Sequence, residues 1–192
     1  MPRLILASAS PRRRQLLAEH GYDFTVVPAD VEEIAPVYFT PREVVLWNAR
    51  IKAQAIARQH PGELVLGVDT LVAFGNRIFG KPRDLDEAFA MVSALNGQTH
   101  EVFSGVCLTR VADQKEHTFA EVTRVHFRQL TPPRLRAYLA RIGPLDKAGA
   151  YAAQDDRGEL IAQVEGSFTN VIGLPMEALA EAVRAILKDG TV

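Results

Sequence analysis

Two short runs, Leu4-Ile5-Leu6-Ala7 and Leu64-Val65-Leu66-Gly67-Val68, contain no polar side chain. A strand with one face in water alternates apolar and polar residues, so unbroken apolar runs of this length, closed by turn-forming residues, read as buried strands. Helix signals follow each of them. Ser10-Pro11 is an N-cap and first helical position, and that helix stops at Gly21. Phe24 to Val27 reads as a second strand, which enters the acidic loop Asp30-Val31-Glu32-Glu33. Thr40-Pro41-Arg42-Glu43 is a capping box, predicting a helix to about His60 with Val44, Trp47, Ile51 and Ala55 on its apolar face.

The 64–68 strand is expected to deliver Asp69-Thr70 at its carboxyl end. A hairpin follows, from Leu71 through a Gly75-Asn76 turn to Phe79. Asp84 caps a helix through Leu95, with Glu87 at capping-box spacing. Two long strands, 100–111 and 118–127, flank a polar turn at Asp113-Gln114-Lys115. A helix from Thr131-Pro132 to about Ile142, a strand at 160–164, a loop at 166–170 and a helix from Pro175 to about Leu187 complete the chain. Strands and helices mix without strict βαβ alternation, which predicts one mixed-sheet α/β domain over 1–192.

The composition narrows the functional classes. Twenty-two Lys and Arg against 23 Asp and Glu give a net charge of −1, not the basic footprint of a nucleic-acid-coating protein. No apolar window reaches the length of a membrane span. The single cysteine, Cys107, excludes an internal disulfide framework and fits a reducing compartment. The protein is therefore expected in the cytoplasm, with no membrane or nucleic-acid partner.

Ser10-Pro11 is followed by Arg12-Arg13-Arg14. A helix N-terminus already carries positive potential, so three cations there cost helix stability. The same geometry binds phosphate through unpaired backbone N–H groups, and arginine forks strengthen that binding. Ser8 and Ser10 add hydroxyls to the turn. The alternative is a solvated basic helix start with arginine stems lying on apolar surface. Asp69 at a strand end and Glu32-Glu33 after another strand are candidate metal ligands or bases, of the oxygen type that suits Mg²⁺ or Mn²⁺ bridged to phosphates. Alternatively Asp69 caps a turn and the glutamates form a solvated loop. Lys52, at the edge of a helical apolar face, and Lys81, between Gly80 and Pro82, are candidate phosphate clamps. Phosphate-binding loops of the G-x-x-x-x-G-K-[ST] and G-x-G-x-x-G types are missing, and the five histidines lack zinc-like spacing. Cys107 and Trp47 read as core, and Asn170 as a loop residue.

Leu6-Ala7-Ser8-Ala9-Ser10-Pro11-Arg12-Arg13 resembles the opening signature of the Maf nucleotide pyrophosphatases. Ala49-Arg50-Ile51-Lys52-Ala53, Gly67-Val68-Asp69-Thr70, Gly80-Lys81-Pro82, Asp146-Lys147-Ala148-Gly149-Ala150-Tyr151 and Gly173-Leu174-Pro175 match further family motifs in order. The resemblance implies an elongated Maf/ITPase-like fold with a central active-site cleft between two lobes, often as a homodimer. It implies hydrolysis of a nucleoside triphosphate to a monophosphate and pyrophosphate with a divalent cation, and Glu33 and Asp69, already candidate ligands by residue type, are expected to hold that Mg²⁺ or Mn²⁺. By the same resemblance Asp69 is the proton acceptor, Glu33, Lys52 and Lys81 are catalytic, and Ser8, Arg12, Arg13, Thr70 and Gln154 line the substrate site. Arg12, Thr70 and Gln154 are the combination of the subfamily taking dTTP and UTP, rather than 7-methyl-GTP. A glutamine supplies the donor and acceptor that a thymine or uracil edge requires. Two departures stand out: Gly67-Val68 before Asp69, and Asp155-Asp156 after Gln154, whose carboxylates would weaken polyphosphate binding or add a metal ligand. The family's link to cell-division arrest leaves a non-catalytic nucleotide-sensing regulator as an alternative.

Overall fold

The computed structural model describes residues 3–188; Met1, Pro2 and residues 189–192, which the expected 1–192 domain also spans, lie outside the described residues. The elements run β1 (Leu4–Leu6), α1 (Pro11–Glu19), β2 (Phe24–Val26), α2 (Pro41–Ala57), β3 (Leu64–Phe74), β4 (Arg77–Phe79), α3 (Leu85–Leu95), β5 (Thr99–Arg110), β6 (Lys115–Phe127), α4 (Pro132–Ile142), β7 (Ile161–Glu165), α5 (Phe168–Ile172) and α6 (Met176–Lys188). The strands form a seven-stranded sheet in the order β2-β1-β3-β5-β6-β7, with β4 paired to β3. β1 pairs parallel with β2 and β3, while β3–β4 and β6–β7 are antiparallel. This is the expected mixed α/β class. Among the described residues no helix is long and apolar enough to cross a membrane.

The chain divides into two compact units: Met1–Thr70 with Ser104–Glu121 and Gly173–Val192, and Leu71–Phe103 with Val122–Ile172. In the first, α2 lies very close to the sheet. A Cβ at Gly67 would overlap the Ala49 carbonyl oxygen, and one at Gly105 would overlap the Val45 carbonyl. The helix offers its small residues to that approach: Ala49, Ala53 and Ala57 join Ile5, Ala7, Val65 and Cys107 in one buried cluster. Burial pushes the Cys107 thiol up to about 11, as fits a core residue and not a nucleophile.

This contact sets which face of α2 is inside. Val45, Asn48, Ala49, Lys52, Ala53 and Ile56 are buried, whereas Trp47, expected in the core, is 46 % exposed. The helix begins with the expected capping box, Thr40 accepting from the Glu43 amide and Glu43 from the Thr40 amide. It ends at Ala57, slightly short of the expected His60, as the chain turns into Pro61-Gly62.

The second unit has its own core, in which Val92, Leu95, Leu135, Tyr138, Val125 and Leu160 are prominent. Asp84 caps α3 as expected, but the Glu87 carboxylate accepts from the Arg83 amide and does not close a box. His100, Phe127 and Tyr151 pack edge to face, with centroids 4.6, 4.9 and 5.3 Å apart. The expected 166–170 loop instead contains α5. There Asn170 is buried and donates to the Val102 carbonyl and the Thr123 hydroxyl.

Candidate active site

The three arginines after Pro11 have different fates. Arg14 is exposed and Arg12 is half-buried. Arg13 turns inward and spreads its guanidinium over four acceptors. Nε donates to the Gly173 carbonyl at 2.9 Å, Nη1 to Ser8 Oγ at 2.9 Å and the Val68 carbonyl at 3.1 Å, and Nη2 to Thr70 Oγ1 at 3.0 Å. Thr70 Oγ1 also lies 2.8 Å from Ser104 Oγ and 3.3 Å from the Gly173 oxygen. Burial is the main influence on Arg13 and lowers its pKa to about 10. Asp69 opposes that shift, Arg12 adds to it and Glu33 opposes it, so the group stays charged at neutral pH. Ser10 caps α1 by position only; its side chain makes no cap bond, and its amide donates to Ser8 Oγ.

A second cluster is centred on Lys52. Its ammonium lies 2.6 Å from Glu33 Oε1 and 2.7 Å from Asp69 Oδ1. The lysine is not at the edge of the apolar face of α2, as expected, but within the buried face. The close approach allowed by Gly67 carries Lys52 to the sheet, and Gly67 and Asp69, two residues apart, share the face of β3 that meets α2. Thr70 points to the opposite face. Adjacent residues of one strand thus serve the lysine cluster and the arginine cluster. Asp69 does not end a strand: β3 continues to Phe74. The break in apolar character at Asp69-Thr70 marks two polar side chains within a strand, each with its own partners.

Asn48 belongs to this cluster and was not singled out by the sequence. It is 3 % exposed and donates to Asp69 Oδ2 at 3.3 Å. Its one signal in the sequence is its place a helical turn before Lys52, which puts the two polar side chains on the same helix face.

Lys81 and Gln154 belong to the second unit, where both are exposed. Gly80 next to Lys81 accepts a backbone bond from Gly149 at 3.0 Å, which joins the Gly80-Lys81-Pro82 turn to the segment leading to Gln154. The expectation for Asp155-Asp156 meets a structural role at Asp156, whose carboxylate is taken up by backbone. Asp156 is 4 % exposed, and its two oxygens accept the Leu160 and Ile161 amides at 3.0 Å each, fixing the entry to β7. The Asp155 carbonyl accepts from Arg141 at 2.7 Å.

Among the described residues, no group of three or more His, Cys, Asp or Glu is placed to hold a metal. Glu33 and Asp69 supply two carboxylates with a lysine ammonium between them. That donor set suits a hard cation that completes its shell with phosphate oxygens and water, not one caged by protein alone.

A family model described as Maf-like protein matches residues 3–186. The chain is 48 % identical over 183 residues to a dTTP/UTP pyrophosphatase of Myxococcus xanthus, covering 95 % of this chain and 92 % of that one. It is 47 % identical over 184 residues to a dTTP/UTP pyrophosphatase of Desulfitobacterium hafniense, covering 93 % and 82 % respectively. Among solved structures, the Staphylococcus aureus Ham1 protein aligns with a TM-score of 0.49 and 13 % identity, over 98 % of this chain and 100 % of that one.

Proposed function

The chain belongs to the Maf-like protein family, and from that premise we propose that it is a nucleoside triphosphate pyrophosphatase acting on dTTP and UTP. It cleaves the α–β phosphoanhydride and releases the nucleoside monophosphate and pyrophosphate. The observation that carries this reading is the Glu33–Lys52–Asp69 cluster, set beside a helix N-terminus lined with arginine in a chain whose relatives bear that name.

In this reading Asp69 accepts the proton of the attacking water at its carboxylate. Lys52 and Asn48 hold that carboxylate in one orientation. Glu33 shares the Lys52 ammonium, and the two carboxylates are the residues that would hold Mg²⁺ or Mn²⁺. Such a cation, when bound, neutralises charge on the triphosphate and polarises its P–O bonds. Lys52, Lys81 and Arg12 stabilise negative charge on the departing pyrophosphate, where fixed cations act without reorganisation. Arg13 contributes differently from the sequence expectation. With its guanidinium committed to four internal acceptors, it holds Ser8, Thr70 and Gly173 in place and adds a fixed positive charge. Gln154 reads the pyrimidine edge through one donor and one acceptor, and Thr70 acts through Arg13. Cytoplasmic placement and a homodimer belong to the same proposal; light scattering decides the latter.

Pyrophosphate release is measured with Mg²⁺ or Mn²⁺ across dTTP, UTP, CTP, GTP and 7-methyl-GTP. Turnover confined to dTTP and UTP is expected, and Asp69→Asn is expected to lose roughly 10²–10⁴-fold, the usual worth of a positioned base. Turnover of 7-methyl-GTP overturns the specificity. Binding without turnover of any of them overturns the enzyme in favour of a nucleotide-sensing regulator.

A further inference from the structure

The segment that carries Glu33 lies between β2 and α2 and has no regular secondary structure before Pro41, apart from a turn. One side chain ties it down beside Glu33. Asn48 Oδ1 accepts the Ile34 amide at 2.9 Å, and Nδ2 donates back to the Ile34 carbonyl at 3.0 Å. The amide thus pairs with Ile34 through both backbone groups, as a neighbouring strand would. The remaining Nδ2 hydrogen goes to Asp69 Oδ2 at 3.3 Å. The orientation of the amide is fixed by its partners, since the Ile34 N–H can only donate and the Asp69 carboxylate, when ionised, can only accept. Both N–H donors and the carbonyl oxygen of a buried side chain therefore have a use, and a buried amide left half-paired is costly.

The consequences for the two carboxylates differ. Glu33 directly precedes Ile34, so clamping Ile34 fixes the backbone from which Glu33 reaches Lys52. Asp69 is held at both oxygens, Oδ1 by Lys52 and Oδ2 by Asn48. Without Asn48 its carboxylate could rotate about the Lys52 contact.

We propose that Asn48 is a positioning residue of the site, which holds Glu33 by clamping Ile34 and orients Asp69 through Oδ2. The inference rests on the functional reading above for its kinetic readout, and on the Ile34 contact for a readout independent of it.

The test uses the full chain with Asn48→Ala and, as a variant of nearly unchanged volume, Asn48→Asp, which keeps an acceptor for Ile34 and loses both donors. Each is made alone and combined with Asp69→Asn. In the wild-type background both variants are expected to lower kcat roughly a hundredfold, the scale of an ångström-sized misplacement, with KM for dTTP changed less than about threefold. In the Asp69→Asn background the same changes are expected to cost less than about threefold, because the group that Asn48 orients is already disabled. A full loss in both backgrounds, or none in either, overturns the role. Hydrogen exchange at the Ile34 amide is measured in parallel and is expected to accelerate in Asn48→Ala while the central residues of β1 and β3 keep their protection. If the wild-type protein hydrolyses none of the triphosphates, the proposed function fails. The Ile34 exchange then decides for Asn48, and unchanged protection in Asn48→Ala overturns the positioning claim.

Discussion

Gly67→Ala tests whether the close seat of α2 sets the geometry of the candidate site. A Cβ at Gly67 would overlap the Ala49 carbonyl oxygen and lie 2.7 Å from the Ala53 amide nitrogen and 2.8 Å from Ala53 Cβ. Ordinary contact begins near 3.4 Å, so the Ala53 amide alone must retreat by 3.4 − 2.7 = 0.7 Å, and the carbonyl by more. The atoms met are mainly helix backbone, which no rotamer change can move aside. The helix itself must lift by about 1 Å. Overpacking of this kind costs about 1–3 kcal/mol. For a chain of this size each kcal/mol shifts Tm by about 2–4 °C, so a fall of roughly 2–12 °C is expected by calorimetry. Lys52 and Asn48 ride on the displaced helix. Turnover of dTTP should therefore fall roughly a hundredfold in the fraction that remains folded. Gly62→Ala is the control: an added methyl there meets nothing within 4 Å, and both quantities should stay at wild-type values. If Gly67→Ala melts and turns over like wild type, the helix seat does not control the site.

Two further outcomes follow from buried charge. His100 is 1 % exposed, and burial, aided by His126, lowers its pKa from 6.5 to about 4. The unfolded chain then binds the proton more readily between those values, so stability is complete above pH 6.5 and lost as pH falls towards 4. Between 6.5 and about 4, at about 1.4 kcal/mol per pH unit, the loss reaches roughly 3–4 kcal/mol; urea midpoints in His100→Phe should show a flatter acid slope, and an unchanged slope would refute the assignment. Arg13→Lys keeps the charge but loses the planar fork. It withdraws donors from Ser8, Val68, Thr70 and Gly173, at about 1–3 kcal/mol for each acceptor left without another donor; a melting temperature within 2 °C of wild type would contradict that role.

The sequence carried the local rules well. The capping box at Thr40, the apolar runs of β1 and β3 and the Pro132 helix start are each decided by neighbours in the chain, and they form as expected. Failures came where a partner lies far away. Asp69 looked like a strand end because a carboxylate is unwelcome inside a sheet; Lys52 and Asn48, on a separate helix, satisfy it and let β3 continue. Trp47 looked buried because periodicity names a stripe but not which small residues a close approach will select. Gly67 of β3 selects Ala49 and Ala53 and Gly105 of β5 selects Val45, which turns Trp47 outward. Arg13 could not be told from Arg12 and Arg14 by any local signal, since its partners at Val68, Thr70 and Gly173 lie 55, 57 and 160 positions further along.

That last separation bears on synthesis at the ribosome. The segments carrying Ser8, Arg13, Lys52 and Asp69 emerge early, but the Gly173 carbonyl that takes the Arg13 Nε is made 160 residues after it. Until then a nascent chain holds a guanidinium without one of its fixed acceptors. The Arg13 network therefore closes only late in translation, and a chain stalled before Gly173 lacks it, whatever its earlier strands have already paired.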